Sequence, residues 1–305
     1  MEYVLKTKEL TKRYGHSLAL NGLNMNVPKG AIYGFVGKNG AGKTTLIRLI
    51  CGLQAVTSGE YTLYGVKGSH RDEIRKVRKR MGAVVETPSV YPDMTAADNI
   101  KTQYRVLGLP SFKGVDELLS LVGLEETERK KVKDFSLGMR QRLGIAVALA
   151  GNPDLLILDE PTNGLDPQGI IEMRELILKL NENRQITVLI SSHNLDELSR
   201  IATCYGFIDK GRMVKEMTGR ELQQACRKCT VMTVDDTAEL ACGLEMMGFE
   251  YDIISDREAK VYGEIPVSEL SIALAGQNCH ILSMREQNET LESFYINLVG
   301  GGRYE

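Results

Sequence analysis

The sequence predicts an α/β fold with a parallel sheet buried on both faces, followed by a smaller α+β unit. Two runs, LLIL (155–158) and ITVLIS (186–191), flank the helix-like PQGIIEMRELILKLNEN; strands apolar throughout belong in a sheet covered on both sides. A glycine-rich turn, GKNGAGKTT at 37–45, joins a third apolar run, AIYGFV, to a helix. Near 216–221 (EMTGRE) the character of the chain changes, placing a boundary between residues 1–220 and 221–305.

The first 65 residues alternate strand-like runs with turns: YVLKTKELTKRYG, LALNGLNMNVPKG, AIYGFVG and GEYTLYG. Between the last two, KTTLIRLICGL reads as a helix that starts inside the glycine-rich turn and closes near Gly52. From 70 to about 150 the pattern is mostly helical, interrupted by the proline-marked loop VVETPSVYPDMT. Within that region DFSLGMRQRLGIA (134–146) opens an apolar helix with a short Ser/Gly turn. Beyond the boundary the order is strand (230–234), helix (237–247), strands (252–255 and 260–262), helix (267–275), strand (280–285) and helix (290–298). The first six of these spell the βαββαβ order of a ferredoxin-like unit.

Composition sets limits on function. A chain of 305 residues is long enough for about two domains, and its 38 basic against 40 acidic residues give a net charge of −2. Nothing in that balance points to nucleic acid or an anionic membrane as partner. No apolar run approaches the ~18 residues that span a bilayer, and the start, MEYVLKTKEL, lacks the basic-then-apolar layout of a signal peptide, so a soluble protein is predicted. The six cysteines (51, 204, 226, 229, 242, 279) are scattered, as suits reduced thiols in the cytoplasm.

Three stretches carry the chemistry. GKNGAGKT follows the pattern Gly, four residues, Gly-Lys-Thr, after a strand and before a helix. Gly37, Gly40 and Gly42 let the backbone wrap phosphates, Lys43 reaches the β- and γ-phosphates, and the Thr44 hydroxyl ligates Mg²⁺. Alone, this loop would serve a kinase or a GTPase equally well. LLILDEP adds Asp159 and Glu160 at the C-terminal edge of a strand, where ligands of open α/β sheets bind. Asp159 is suited to hold Mg²⁺ directly or through water, and Glu160 to accept a proton from the water attacking the γ-phosphate. ITVLIS leads to Ser192 and His193, and a histidine at that edge can bond the γ-phosphate or hold the attacking water. The turn before 137 also leaves N–H groups free for an anion, although an ordinary helix cap uses the same groups.

In order and spacing these stretches resemble the ATP-binding subunit of ABC transporters. GKNGAGKTT stands as Walker A, FSLGM in the signature position, LLILDE as Walker B, NGLD (163–166) as D-loop and His193 as the switch histidine, over about residues 1–220. FSLGMRQRLGIA, LDEPTNGLDPQGI and SSHNLDEL look most like the bacitracin/lantibiotic exporter branch, and the tail ending TLESFYINL also fits. The resemblance implies an α/β P-loop NTPase fold with a mixed sheet core, an antiparallel β subdomain, a helical signature subdomain and a small α+β C-terminal domain. It implies ATP and Mg²⁺ as cofactors. Gly37, Asn39, Gly40, Gly42, Lys43, Thr44 and Thr45 would bind the nucleotide, with Tyr14 stacked on adenine, a position a hairpin-turn tyrosine would also occupy. Lys43, Glu160 and His193 would be catalytic, and Thr44, Asp159 and Glu86 would face the metal.

Partners follow from the same resemblance. Two ATP-binding subunits, alike or different, meet head to tail, so that Ser136 and Gly138 of one contact the γ-phosphate held by the other; Asp166 of the D-loop joins the same nucleotide-binding set. A separate transmembrane permease is implied, touched by the loop 86–95, with this chain cytoplasmic and peripheral on the inner face of the membrane. The implied cargo is an exported peptide antibiotic or similar amphipathic compound. The chain departs from the family in two places. The signature usually reads Leu-Ser-Gly-Gly-Gln and here reads Phe135, Ser136, Leu137, Gly138, Met139; Glu86 stands where a glutamine is common and adds negative charge near a triphosphate. A soluble ABC-type ATPase acting on DNA or ribosomes is the alternative, but such proteins usually carry coiled-coil or zinc insertions or two ATP sites, and this chain has one Walker A and no heptad tract. A guanine-binding Asn-Lys-x-Asp is also missing. CRKC (226–229) lacks the second ligand pair of a zinc site, HRDEIRKVRKR (70–80) reads as a solvated helix face, and the sulfur-rich LEMMGF reads as core.

Overall fold

A computed structural model describes residues 2–127, 129–226, 229–263, 265–275, 279–287 and 291–300. The chain divides into two compact units, Met1–Gly219 and Arg220–Glu305.

Two long strands, β1 (Tyr3–Tyr14) and β2 (Ser17–Pro28), open the chain as an antiparallel hairpin. They are followed by β3 (Ile32–Val36), α1 (Lys43–Cys51), β4 (Ser58–Leu63), β5 (Val66–Lys67), α2 (Arg71–Arg78) and β6 (Met81–Val84). Helices α3 (Ala96–Leu107), α4 (Val115–Leu121) and α5 (Leu137–Leu149) come next. The first unit continues with β7 (Leu155–Asp159), α6 (Pro167–Arg184), β8 (Thr187–Ser192), α7 (Leu195–Ser199), β9 (Cys204–Asp209) and β10 (Arg212–Thr218), and α8 (Gly219–Ala225) crosses the boundary.

One sheet is antiparallel, in the order β2-β1-β4-β5; the other is six-stranded, in the order β10-β9-β3-β8-β7-β6. In the larger sheet β9, β3, β8, β7 and β6 run parallel and β10 turns back against β9. Every residue of β3, β7 and β8 is buried, as apolar strands in the middle of a two-sided sheet must be. The core lies between the two sheets and α1, drawing Leu10 and Leu23 from the hairpin, Phe35 from β3, Leu46 and Ile50 from α1, and Ile157 and Leu189 from β7 and β8. Each such leucine or isoleucine contributes about 2 kcal/mol by leaving water, so α1 is held firmly against the sheet whose edge carries the candidate chemistry. Gly52 ends α1 in the left-handed conformation, φ 77°.

Residues 70–150 hold four α-helices, in line with the reading of that stretch as mostly helical, with one strand that the reading did not include. The stretch contains β6, whose four residues MGAV alternate half-buried and buried at the sheet's far edge, too short a run to display a strand period. Strands β9 and β10 complete the sheet beyond the elements read from the sequence; CYGFID is broken by a glycine, and RMVKEMT is the largely exposed edge, so neither shows a clean apolar pattern.

The second unit contains β11 (Cys229–Val234), α9 (Thr237–Met247), β12 (Glu250–Ser255), β13 (Glu258–Tyr262), α10 (Val267–Ala275), β14 (Ile281–Gln287) and α11 (Leu291–Gly300). Its strands form one antiparallel sheet, β12-β13-β11-β14. Met232, Val234, Ala259 and Val261 of the sheet pack on Leu240, Leu244, Leu270 and Leu274 of α9 and α10. Thr290, the first position of the last helix read from the sequence, and Arg227 and Lys228 of CRKC lie outside the described residues.

Candidate functional site

The loop between β3 and α1 is shaped by glycines for different reasons. A Cβ on Gly37 would lie 2.6 Å from Ile208 Cγ2 and 2.7 Å from the Ile208 carbonyl oxygen, and one on Gly42 would lie 2.5 Å from the Ala19 carbonyl oxygen. Gly40 faces open space, but its φ of 82° is one that L side chains rarely adopt. The loop is therefore pressed against β9 and β2 and delivers the chain into α1 with no side-chain cap on the helix's first N–H groups. Asn39 is exposed at the tip, and Thr44 and Thr45 lie half-buried in the first turn.

Strand order brings distant residues to that helix start. β3, β8 and β7 are neighbours, so the ends of all three meet at one edge, carrying Lys43 just beyond the loop, Asp159 and Glu160 at the end of β7, and His193 just beyond β8. Lys43 is buried (6% exposed) and its Nζ lies 3.1 Å from Glu160 Oε1, a carboxylate 19% exposed. The same ammonium donates to the Gly37 carbonyl at 2.5 Å and to the Lys38 carbonyl at 3.3 Å. The other oxygen of Glu160 is 2.8 Å from His193 Nδ1. Lys43, Glu160 and His193 thus form a continuous polar chain across the sheet edge.

Glu160 adopts φ 51°, which costs a non-glycine residue of order 1 kcal/mol or more and needs fixing by its surroundings. Ser191 supplies the fixing: the Glu160 N–H donates to Ser191 Oγ at 3.0 Å and to the Ser191 carbonyl at 3.2 Å. The same serine hydroxyl donates to Asp159 Oδ1 at 2.5 Å. Ser191 is a positioning residue that sequence reasoning missed. The sequence offers no signal that singles it out, because β8 carries three buried hydroxyl side chains, Thr187, Ser191 and Ser192, and only the neighbouring strand decides which one meets Asp159.

Asp159 is buried, and its Oδ2 has no hydrogen-bond partner among the described residues. An orphaned buried carboxylate oxygen, on the residue next to the glutamate that pairs with Lys43, fits a hard divalent cation. No group of three or more His, Cys, Asp or Glu side chains among the described residues could hold a metal by itself. Mg²⁺ would not need such a group, because one or two protein oxygens suffice for it while phosphate and water complete the shell. Glu86 is placed differently: its carboxylate pairs with Arg48 at 2.6 Å, one helical turn beyond Thr44, at a φ of 59°. The extra negative charge noted in the sequence is thereby matched by a guanidinium, and no described interaction links Glu86 to Asp159 or Lys43.

The remaining candidates lie elsewhere in the first unit. Ser136 caps α5, its Oγ accepting from the Met139 N–H at 3.2 Å. A Cβ on Gly138 would meet only Leu165 Cδ2, at an ordinary 3.7 Å, so packing within the chain does not require glycine there. Gly144, two turns on, is different, because a Cβ would lie 2.7 Å from the Pro88 ring and the helix admits that proline only as glycine. Asp166 caps α6, accepting from the Gly169 N–H at 3.1 Å. Tyr14 sits exposed at the end of the β1–β2 hairpin, its hydroxyl on Gln54 and the Lys12 ammonium 5.0 Å from its ring centre.

Cys51 closes α1, and burial pushes its thiol up to about 12, with nearby Asp159 adding to the shift and Arg78 opposing it. Thiolate is the reactive form, so at pH 8 almost none exists at Cys51. Iodoacetamide should modify the exposed Cys242 and leave Cys51 unmodified, as peptide mass mapping would show; rapid labelling of Cys51 in folded protein would contradict this packing.

Comparison with known proteins places this geometry. A family model described as ABC transporter matches residues 20–163. The bacitracin transport ATP-binding protein BcrA of Enterococcus faecalis is 39% identical over 304 residues, covering 99% of this chain and 98% of that protein. The lantibiotic transport ATP-binding protein SrtF of Streptococcus pyogenes is 45% identical over 220 residues, covering 72% of this chain and 93% of that protein. Among solved structures, the dimeric post-hydrolysis ATP-binding cassette MJ0796, bound to ADP and Pi, superposes with a TM-score of 0.64 at 28% identity, covering 71% of this chain and 99% of that one. No helix among the described residues is long and apolar enough to cross a membrane.

Proposed function

From the premise that this chain belongs to the ABC transporter family of ATP-binding proteins, we propose that it is the motor subunit of an exporter: it binds ATP on the 37–45 loop, hydrolyses it with Glu160 and His193, and drives a separate membrane permease. The observation that carries the reading is the Lys43–Glu160–His193 chain at the ends of neighbouring strands. A triphosphate entering beside Lys43 competes with Glu160 for the ammonium, and the anion with more charge wins in this low-dielectric setting. Glu160 is then released toward the γ-phosphate while still bonded to His193. It takes the proton of the attacking water as the new P–O bond forms and the bond to ADP breaks. His193 orients that carboxylate and reaches the γ-phosphate from the other side.

Thr44 and Asp159 are the residues that fit Mg²⁺, which when bound supplies charge neutralisation across the phosphate oxygens. Gly37, Asn39, Gly40, Gly42 and Thr45 frame the phosphates, and Tyr14 offers an exposed ring to adenine. A second ATP-binding subunit covers the nucleotide through its own Ser136 and Gly138, with Asp166 fixing the neighbouring D-loop. Gly138 supports this, being a glycine that its own chain does not need. The cargo best supported is a peptide antibiotic or similar amphipathic compound, by likeness to BcrA and SrtF. The motor would work at the cytoplasmic face of the membrane.

Mixing subunits tests the shared site. A Lys43→Ala subunit paired with a Ser136→Ala subunit has one site with both defects and one with neither. Random mixing of two inactive variants should therefore restore about a quarter of wild-type ATPase activity, half the dimers being mixed with half their sites intact. No recovery in dimers shown by mass to be mixed would defeat the arrangement in trans.

A further inference from the structure

Behind the catalytic edge, between α6 and α7, lies a cavity of about 290 Å³ that the proposed reaction does not use. Its walls include Ile170, Ile171 and Ile177 of α6, Ile190 of β8, Leu198 of α7 and Ile201. The volume has room for about ten non-hydrogen atoms at interior packing density. The mouth is open to solvent, since Ile171 and Arg200 are exposed.

Four charged side chains line it, and they are not equivalent. Glu197 is committed, with one oxygen accepting from Thr162 Oγ1 at 2.6 Å and the other from Asn194 Nδ2 at 3.1 Å. Asp196 is exposed, where water screens it. Arg174 and Arg200 make no hydrogen bond or ion pair among the described residues, and Arg174 is half-buried against the apolar wall. Two guanidiniums without partners above an isoleucine-lined chamber are complementary to a molecule with an apolar body and an anionic end.

We propose that this cavity binds a small anionic amphiphile, a monocarboxylate with an apolar chain of about the size of octanoate, inserted chain-first with its carboxylate on Arg174 and Arg200. The position suits a regulatory ligand. Pro161 and Thr162, which line the cavity, directly follow Glu160, and Ser192, also in the lining, directly precedes His193. An occupant therefore packs on the residues beside both catalytic side chains without touching the phosphate loop.

Octanoate titrated into the full-length protein with methyl-labelled isoleucines tests this directly, and binding is read without nucleotide, independently of the proposed ATPase reaction. The methyl signals of Ile170, Ile171, Ile190 and Ile201 should shift, and octanoate should bind more tightly than octylamine. Arg174→Gln combined with Arg200→Gln should weaken octanoate about tenfold and leave 1-octanol unchanged. Ile171→Trp, at the exposed mouth where the fold tolerates change, should weaken both. Any one of four results overturns the proposal: no octanoate binding up to its solubility limit, equal affinity for the double arginine variant, preference for octylamine, or displacement of octanoate by ATP.

Discussion

Glu160→Gln should lower ATP turnover by about 10² to 10⁴ while leaving ATP binding intact, the range expected for losing a general base. The structure makes this substitution unusually clean. Glutamine has the same shape, keeps an oxygen for Lys43 and an amide for His193, and leaves the φ 51° backbone held by Ser191. What it loses is the capacity to take a proton. Pre-steady-state phosphate release, with nucleotide affinity measured separately by a fluorescent analogue, reads the two effects apart. Turnover within a fewfold of wild type would remove Glu160 from the reaction. Because the variant can bind without hydrolysing, it should also accumulate as a nucleotide-loaded dimer on sizing columns, whereas the wild type should not.

Lys43→Ala should act earlier, weakening ATP binding by about a hundredfold or more, since a charge-assisted contact and a desolvated cation are lost together. Alanine is the best helix former, so the start of α1 survives and the loss is specific to the site. Glu160 keeps its bond to His193 at 2.8 Å and so retains a partner. Equilibrium dialysis with ATP measures the change directly; unaltered affinity would mean that nucleotide is held elsewhere. The two variants differ diagnostically, because one binds without turning over and the other does neither.

Much of the architecture was legible because its signals are local. Apolar strands 155–158 and 186–191, the glycine loop, and the helix closed by Gly52 each carry their cause within a dozen residues. The α/β class with a smaller α+β unit emerged from those runs and the change near residue 220. What stayed hidden depended on which strands become neighbours. Lys43, Glu160 and His193 are each recognisable alone, yet their contact exists because β8 lies between β3 and β7, an order that no periodicity encodes. Ser191 was invisible for the same reason, since its partners come from the adjacent strand. Glu86 looked like an unmatched charge because Arg48, its partner, lies 38 positions away. β6 escaped because four residues are too few to display a period, and β9 and β10 because a glycine and an exposed edge break the apolar pattern.

The contact between Gly144 and Pro88 has a mechanical corollary. The proline belongs to the loop that begins with Glu86, which pairs with Arg48 of α1; two residues on, Pro88 is socketed into the helix that Ser136 caps. Residues 86–88 therefore touch both helices, α1 through a solvent-exposed ion pair and α5 through a close-packed socket, so of the two contacts the socket is the tighter one. Gly144→Ala would set a Cβ 2.7 Å from the proline ring, so it should push residues 86–88 off α5 and lower the melting temperature, which calorimetry would read; an unchanged melting temperature would mean that the socket gives way freely.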